Sequence, residues 1–571
     1  MQPFIGVAGE LYSTVPGSGT FTLHSAISGL SINTDVRPSF ALLGNACIIA
    51  GKFSRPVVYY DDIDKFYAAG LTAPTGTPAA ASGGGGNVTG ECIYYYTFVH
   101  EESGKRAESN PSPASNTFSA SANDVDLSNI DATAPDSRVN KVYIYCSRDG
   151  AIPRKVGSVN LGTTTFTDNM TAAALAEQVA LPVKLDSDGA TILDIDARGI
   201  PPYTEIVKEY HNRAWYGRDP NHMHYVWFSS IDEPESVNLS VPDPNLPPLG
   251  TLKTRGNEGV RGLVEALDEL LVMHEGGTDG IQGYGPTTFQ VRRISRLYTT
   301  ISHHSICIVG DGIPMWAAED GVIAYDGSFR NVMADTRRNE FRDAVRTNTA
   351  AYQDSVAAYD RHEHVYKLMI PKASGPTRYW IGHCLPMLEG QGMPFWTDDY
   401  ENREVTAIGN LALSATDRRK EMYHAATDGY VRRQNIAADA DDDGDTYLKH
   451  FEVWTKAFLP RGSQGGDDGH GVTVTEVTFF VKNESVDVSI AGHAGDDEAH
   501  TATAQWTHTI PAGAATIEGV SASARTSYHT ASLDGMSGKT VLFKISADSP
   551  VGVEYRGLEF MVRAGSQTRP A

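Results

Sequence analysis

The sequence predicts an all-β protein: a β-propeller of about six blades with an inserted β-sandwich module and a C-terminal β-rich domain. Three observations carry that expectation. Leu270 to Ile281 (LLVMHEGGTDGI), Met315 to Tyr325 (MWAAEDGVIAY) and Met422 to Val431 (MYHAATDGYV) each set Asp-Gly between apolar runs. Gly supplies the positive φ of a tight hairpin and Asp bonds its own following backbone, so each stretch reads as a strand, a turn and a second strand. The 55 Gly and 29 Pro, beside 41% apolar residues and few helical patterns, describe a turn-dense chain with apolar material for large cores. The units carrying this pattern are centred about 45–55 residues apart, the span of a four-stranded blade.

Residues 1–80 are read as an N-terminal segment and a first blade, with an apolar run at Ala41 to Ala50, a turn at Gly51 and PVVYY at Pro56 to Tyr60. The Pro-, Ala- and Gly-rich stretch TAPTGTPAAASGGGGNV (72–88) reads as a flexible linker. Residues 81–182 are read as the inserted module. In CIYYYTFV, Cys92, Tyr94, Tyr96 and Phe98 share one strand face and Ile93, Tyr95, Thr97 and Val99 the other. A turn follows at Ser103-Gly104, then a strand at KVYIYCSRDG and a short helix over Thr171 to Ala180. Low-specificity patterning here resembles fibronectin type III modules.

Residues 183–446 are read as the main blades, beginning with two aromatic strands around Asp219-Pro220-Asn221 and continuing through Val260–Ile294, Ser305–Phe329, Ala350–Leu385 and Arg403–Arg433. Residues 447–571 form the C-terminal domain, whose alternating strands include VTVTEVTFFV and LEFMVRA.

With 70 acidic against 47 basic residues the formal charge is −23. That balance excludes wrapping nucleic acid by phosphate neutralisation, although an acidic wall would let a duplex pass without adhering. The five cysteines lie far apart in apolar runs and read as buried reduced thiols, Cys92 and Cys146 sharing one module. The N-terminus does not read as a secretory signal, and no run of about twenty apolar residues suggests a membrane span. Synthesis in a host cytoplasm is expected.

Candidate chemistry is sparse. Asp439, Asp441, Asp443 and Asp445 around Gly444 alternate as Ca²⁺-ligating carboxylates do, but His450 stands where the bidentate Glu belongs, so a solvated acidic loop is favoured. His362 and His364 would share a strand face, and His303-His304 adjoin, without a third ligand at metal spacing. Gly538-Lys539-Thr540 lacks the first Gly of a phosphate loop, because Leu533 stands there. The acidic pairs Glu101-Glu102 and Asp398-Asp399 read as coincidence in an acid-rich chain rather than as the two carboxylates of a glycosidase. No residue is assigned a catalytic, cofactor-binding or metal role, no cofactor is expected, and the chain is expected not to be an enzyme. Arg292-Arg293 and Asp441 to Asp443 are possible contact points.

The runs AWYGRDPNHMHYVWFSSIDEPESV, GLVEALDELLVMHEGGTDGIQGYGPTTFQVRRIS and HHSICIVGDGIPMWAAEDGVIAYDG, with the earlier RPVVYYDDIDKFYAAGLTAP, resemble in order the β-propeller tail hub or nozzle proteins of short-tailed (podovirus-type) bacteriophages. The resemblance covers 28–71 and 190–435. It implies a structural virion protein of the tail: a homohexameric ring beneath the portal-adaptor ring. That ring would give the distal channel through which genomic DNA leaves without sequence-specific binding, and a platform for tail spikes or fibres. The competing reading is a carbohydrate-binding or glycan-hydrolysing propeller, for which the aromatic and acidic loops speak. A cellular scaffold propeller ranks last, since repeated Trp-Asp is missing.

Overall fold

The computed structural model is nearly all β, with 52% of the chain in strands and 6% in helices. It describes residues 2–5, 10–14, 22–27, 30–33, 36–185, 191–241, 246–255, 258–333, 335–348, 354–371, 377–401, 405–412, 420–426 and 431–433. Beyond these it describes the strands 449–454, 472–482, 488–495, 506–510, 527–538, 540–549 and 554–563. Packing divides the chain into two compact units, one mainly of residues up to Ile306 and the other mainly from Cys307 onward.

The first unit opens with the antiparallel sheet β1 (Gln2–Ile5), β2 (Leu11–Thr14) and β3 (Thr22–His24), followed by the meander β4 (Ser39–Leu43), β5 (Ala46–Ala50), β6 (Val57–Tyr60) and β7 (Lys65–Ala68). Next comes one six-stranded sheet: β8 (Ala79–Glu101), β9 (Lys105–Glu108), β10 (Phe118–Ser128), β11 (Lys141–Arg148), β12 (Arg154–Asn160) and β13 (Phe166–Asp168), in the order β12-β11-β8-β10-β13 with β9 also on β8. Helix α1 (Ala172–Ala176), capped by Thr171, and the hairpin β14 (Val183–Leu185) and β15 (Thr191–Leu193) lead out of it. Two further sheets complete the unit. They are β16 (Ile206–Tyr210), β17 (Arg213–Gly217), β18 (Tyr225–Ser230), β19 (Glu233–Val237) with β20 (Thr251–Lys253) on β18, and β21 (Val260–Ala266), β22 (Glu269–His274), β23 (Gly277–Gln282), β24 (Gln290–Ser295).

Past Ile306 the chain forms β25 (Cys307–Val309), β26 (Ile313–Ala318), β27 (Gly321–Tyr325) and β28 (Phe329–Asn331), then helix α2 (Asp335–Arg346). The sheet β29 (Val356–Asp360), β30 (Val365–Met369), β31 (Thr377–His383) and β32 (Phe395–Glu401) follows, with the short helix α3 (Leu385–Leu388) inside its last connection. Three-stranded β33 (Val405–Ala412), β34 (Lys420–Ala426) and β35 (Val431–Arg433) comes next. The C-terminal strands are β36 (Lys449–Trp454), β37 (Val472–Lys482), β38 (Val488–Gly495), β39 (Trp506–Ile510), β40 (Ser527–Gly538), β41 (Thr540–Ser549) and β42 (Glu554–Arg563). They make two sheets, β36-β41-β38-β39 and β40-β37-β42, which touch through β38 and β40.

What holds the first unit together is sheets covered on both faces. Ala41, Leu43 and Ile48 of β4 and β5 pack with Val207, Ala214 and Tyr216. The opposite face of that second sheet, through Ile206, Tyr210, Trp215 and Phe228, packs with Val260, Leu263, Leu270 and Val272. A strand buried on both sides cannot alternate apolar and polar residues, and RAWYG of β17 is buried at all five positions. The first strands of these consecutive sheets, β4, β16 and β21, lie beside one another. In the second unit β25, β29 and β33 do the same, and Val356, Met369 and Tyr379 pack on Val405, Ile408 and Met422.

The structure corrects several local expectations. The apolar run Ala41 to Ala50 is two strands that turn at Gly44-Asn45, with Gly44 at φ 60°. The hairpin expected at Asp279-Gly280 turns instead at Glu275-Gly276, because His274 pairs with Gly277, and Asp279 and Gly280 lie inside β23. The Met315 to Tyr325 hairpin turns at Glu319-Asp320, with Gly321 at φ 133° opening β27. The turn of Met422 to Val431 lies outside the described residues. The face Cys92, Tyr94, Tyr96 and Phe98 enters the module core as expected. The residues expected as a flexible linker are in large part strand, since β8 begins at Ala79 and pairs through Gly84 and Gly85 with β10.

That glycine run is a packing device. A Cβ at Gly86 would overlap the Asp124 carboxylate and backbone nitrogen, and one at Gly83 would meet Asp126, whereas a Cβ at Gly85 meets nothing within 4 Å. Gly84, at φ 116°, sits beside a register shift between Asp124 and Val125. Gly86→Ala is therefore expected to destabilise the protein by about 1–3 kcal/mol by overpacking, while Gly85→Ala stays within about 0.5 kcal/mol of wild type. Paired thermal melts of the two variants check this. Equal losses would show that backbone freedom, not the aspartate contact, sets the requirement.

Candidate functional site

Among the described residues the sequence candidates do not assemble into a reactive centre. His362 and His364 lie on the β29–β30 turn, not on a strand face. Asp360 Oδ1 accepts from the N–H groups of His362 (2.8 Å) and Glu363 (3.2 Å), and the His364 ring lies 3.0 Å from the Tyr359 hydroxyl. His303 and His304 sit in a 3₁₀ turn with ring centroids 5.6 Å apart. Burial pushes the His303 ring down to about 3, with Lys208 adding to it. Burial, then the His303, Arg37 and Arg218 charges, holds His304 well below its ordinary range. Among the described residues no group of three or more His, Cys, Asp or Glu is placed to hold a metal ion. Asp439, Asp441, Asp443 and Asp445 lie outside the described residues.

The paired charges of the sequence are structural. Glu101 ion-pairs with Lys141 and Glu102 with Lys65, and hydrogen bonds from those lysines hold both carboxyls below their usual range. Arg292 ion-pairs with Glu269 and Arg293 with the fully buried Asp279. Burial alone would raise the Asp279 carboxyl, but hydrogen bonds from His274, the Arg255 N–H and Arg293 outweigh it and hold it low. Asp398 and Asp399 are successive residues of β32, and Gly538 and Thr540 border the connection between β40 and β41. Among the described residues no helix is long and apolar enough to cross a membrane.

The most developed polar constellation joins the inserted module to the sheets beside it, and the sequence did not single it out. Glu235 of β19 is 4% exposed and faces Arg138, which precedes β11. Its Oε1 accepts from the Tyr60 hydroxyl (2.6 Å) and Arg138 Nη1 (3.1 Å), and its Oε2 from the Gly70 N–H (2.7 Å). Arg138 Nη2 also donates to Gly70 O (3.0 Å), and Arg55 donates to the same carbonyl (3.1 Å) and pairs with Asp136. Burial would lower the Arg138 guanidinium, but the Glu235 charge outweighs it, so the cation is firmly held. A second hub lies nearby: Glu108 pairs with Arg198 (2.7 Å) and accepts from Tyr145 (2.6 Å) and Thr97 (2.8 Å). Lys105 spans Glu108 and Glu233. Three segments far apart in sequence are thus tied by charges of which Arg138, Glu235, Arg198 and Glu108 are buried, and loss of one partner would leave a buried ion unpaired.

A partly exposed ring cluster lies on the β17–β18 connection. His222 stacks on Tyr225 (centroids 5.2 Å, 4° between planes), and Asp219, itself buried, accepts from the Trp227 indole (3.2 Å) and lies 3.1 Å from His222 Nδ1. This gives a partly exposed aromatic platform with an oriented imidazole.

No protein-family model matches the chain, and no curated protein matches it. Among solved structures, a streptogramin B lyase is similar at 11% identity over 55% of this chain and 86% of the other, with a TM-score of 0.24. The extracellular domain of a hybrid two-component system from B. thetaiotaomicron is similar at 10% identity over 98% of this chain and 71% of the other, with a TM-score of 0.26. Likeness at this level carries no argument about activity.

Proposed function

We propose that the chain is a structural virion protein, the subunit of a tail nozzle or hub ring of a short-tailed phage. Consecutive antiparallel sheets whose first strands adjoin one another support a propeller in which those strands surround the axis. The observation that carries the reading is the Glu235 and Glu108 junction. It fixes the inserted module to the neighbouring sheets without a hinge, as a part that transmits mechanical load requires. Copies related by rotation would join through heterologous contacts into a closed ring, six being the number the sequence resemblance implies. The ring would stand beneath the portal-adaptor ring, carry spikes or fibres, and present an acidic wall to passing DNA, consistent with the formal charge of −23.

Mass photometry and negative-stain images of the recombinant chain test the proposal. Closed rings of uniform copy number are expected, and a chain that stays monomeric at micromolar concentration and is missing from purified particles defeats it. One observation favours a second reading, a carbohydrate-binding propeller: the His222 and Tyr225 ring stack, since sugar faces pack on such platforms. Glycan-array binding abolished by Tyr225→Ala would favour it, and silence across the array removes it.

A further inference from the structure

The inserted module buries two thiols on one face of a strand pair. β8 and β11 run antiparallel with Tyr94 opposite Cys146 and Cys92 opposite Arg148, so Cys92 and Cys146 are diagonal neighbours on one face. Both are 0% exposed and belong to the same core, where the Cys92 thiol donates to Gly90 O (3.7 Å) and the Cys146 thiol to Ser147 O (3.6 Å). All five cysteines of the chain are unbridged, and Cys47 lies in a separate core. We propose that Cys92 and Cys146 form a redox-closable pair, which a low-molecular-weight disulfide converts into a reversible cross-link between β8 and β11.

The chemistry balances as thiol–disulfide exchange. The neighbouring Cys146 side chain, with the Arg148 charge, acts against burial and holds the Cys92 thiol down to about 7, so Cys92 is the attacking thiolate. Its sulfur displaces one reduced thiol from the incoming disulfide and forms a mixed disulfide. Cys146, whose thiol is pushed up, loses its proton to solvent as it attacks the Cys92 sulfur and expels the second reduced thiol. The pair gives up two electrons and two protons, and the small disulfide becomes two thiols.

Geometry sets how readily this happens. Diagonal neighbours lie about 7 Å apart or somewhat less at Cβ, whereas a relaxed bridge has its Cβ atoms nearer about 4 Å. Closing the bond draws the strands together and leaves it strained, so it reopens under mild reductant. Access requires local opening in the middle of β8 beside Cys92, where Gly90 is at φ 97° and the β10 register breaks between Ser121 and Asn123. The reaction is therefore slow, on the order of hours.

The test is independent of the proposed function. Native protein is held in oxidised glutathione, alkylated, and read by intact mass and by peptide mapping without reductant. The expected result is loss of two hydrogens, one cross-linked peptide pair holding Cys92 and Cys146, and a melting temperature raised by several degrees that dithiothreitol restores. Cys146→Ser is expected to stop at a single glutathione adduct on Cys92. A wild-type mass that stays unchanged overnight, or a bridge that involves another cysteine, overturns the proposal, and neither outcome depends on the variant folding.

Discussion

Glu235→Ala is expected to destabilise the protein by about 3–5 kcal/mol, the cost of stranding a buried cation. Removing the carboxylate leaves Arg138, itself 9% exposed, with the Gly70 carbonyl as acceptor and only the Asp136 charge, already paired with Arg55, to balance it. The Gly70 N–H loses its acceptor at the same time. Glu235→Gln separates charge from shape, since the amide keeps an acceptor but has no charge to hold Arg138. It is expected to lose most of the same stability, because charge-assisted bonds are roughly twice as strong as neutral ones. Calorimetry and limited proteolysis check this: in both variants the module should melt earlier, with cleavage appearing first between residues 69 and 78, where the chain enters it. If both melt like wild type, the junction is not what fixes the module, and the mechanical reading of the fold loses its main support.

How much of this was legible in the sequence depends on whether the cause was local. The strands around Asp219-Pro220-Asn221 and the Met315 to Tyr325 hairpin, though not the exact residues of its turn, could be read because turn chemistry and apolar flanks lie within ten residues. Asp279-Gly280 misled because its glycine answers to packing: a Cβ at Gly280 would meet Glu269 Oε2 at 2.5 Å and Ile294 Cδ1 at 2.6 Å. Asp279 is there to hold Arg293 across the sheet. Gly83 to Gly86 misled in the same way, since the aspartates they accommodate lie about forty residues along the chain. Helix α2 carried a weak sign that went unread: Phe341 and Val345, both 0% exposed, are four residues apart in an arginine-rich run. The Glu235 hub could not have been found by spacing, because Arg138 and Tyr60 are 97 and 175 residues away. What the sequence did place, the all-β class and the buried face of β8, follows from periodicities that short windows contain.

Acidification is expected to destabilise the fold from about pH 6.5 downward, and His303→Asn is expected to remove the share of that loss owed to His303, leaving that of His304. The His303 ring is held neutral in the folded chain, with its affinity for a proton pushed down to about 3, while the unfolded chain takes the proton near 6.5. The unfolded state therefore binds more protons across that window, and stability rises with pH within it and levels off above it. Each unit corresponds to about 1.4 kcal/mol, but both histidine rings retain some solvent contact, so the loss by pH 4 from His303 is about 2 kcal/mol. Protonation would also remove the Nδ1 acceptor that the Leu263 N–H approaches at 3.4 Å. The His304 ring, among Arg37 and Arg218, resists a second charge in the same place. Asparagine keeps an acceptor near the Nδ1 position and cannot titrate, so its neutral-pH stability should stay close to wild type. The informative quantity is the difference between the two denaturation midpoints at pH 6.5 and at pH 4.5. Carboxylates shared by both proteins cancel in it, and a variant that parallels wild type across the window would show that this histidine is not the group the fold keeps neutral.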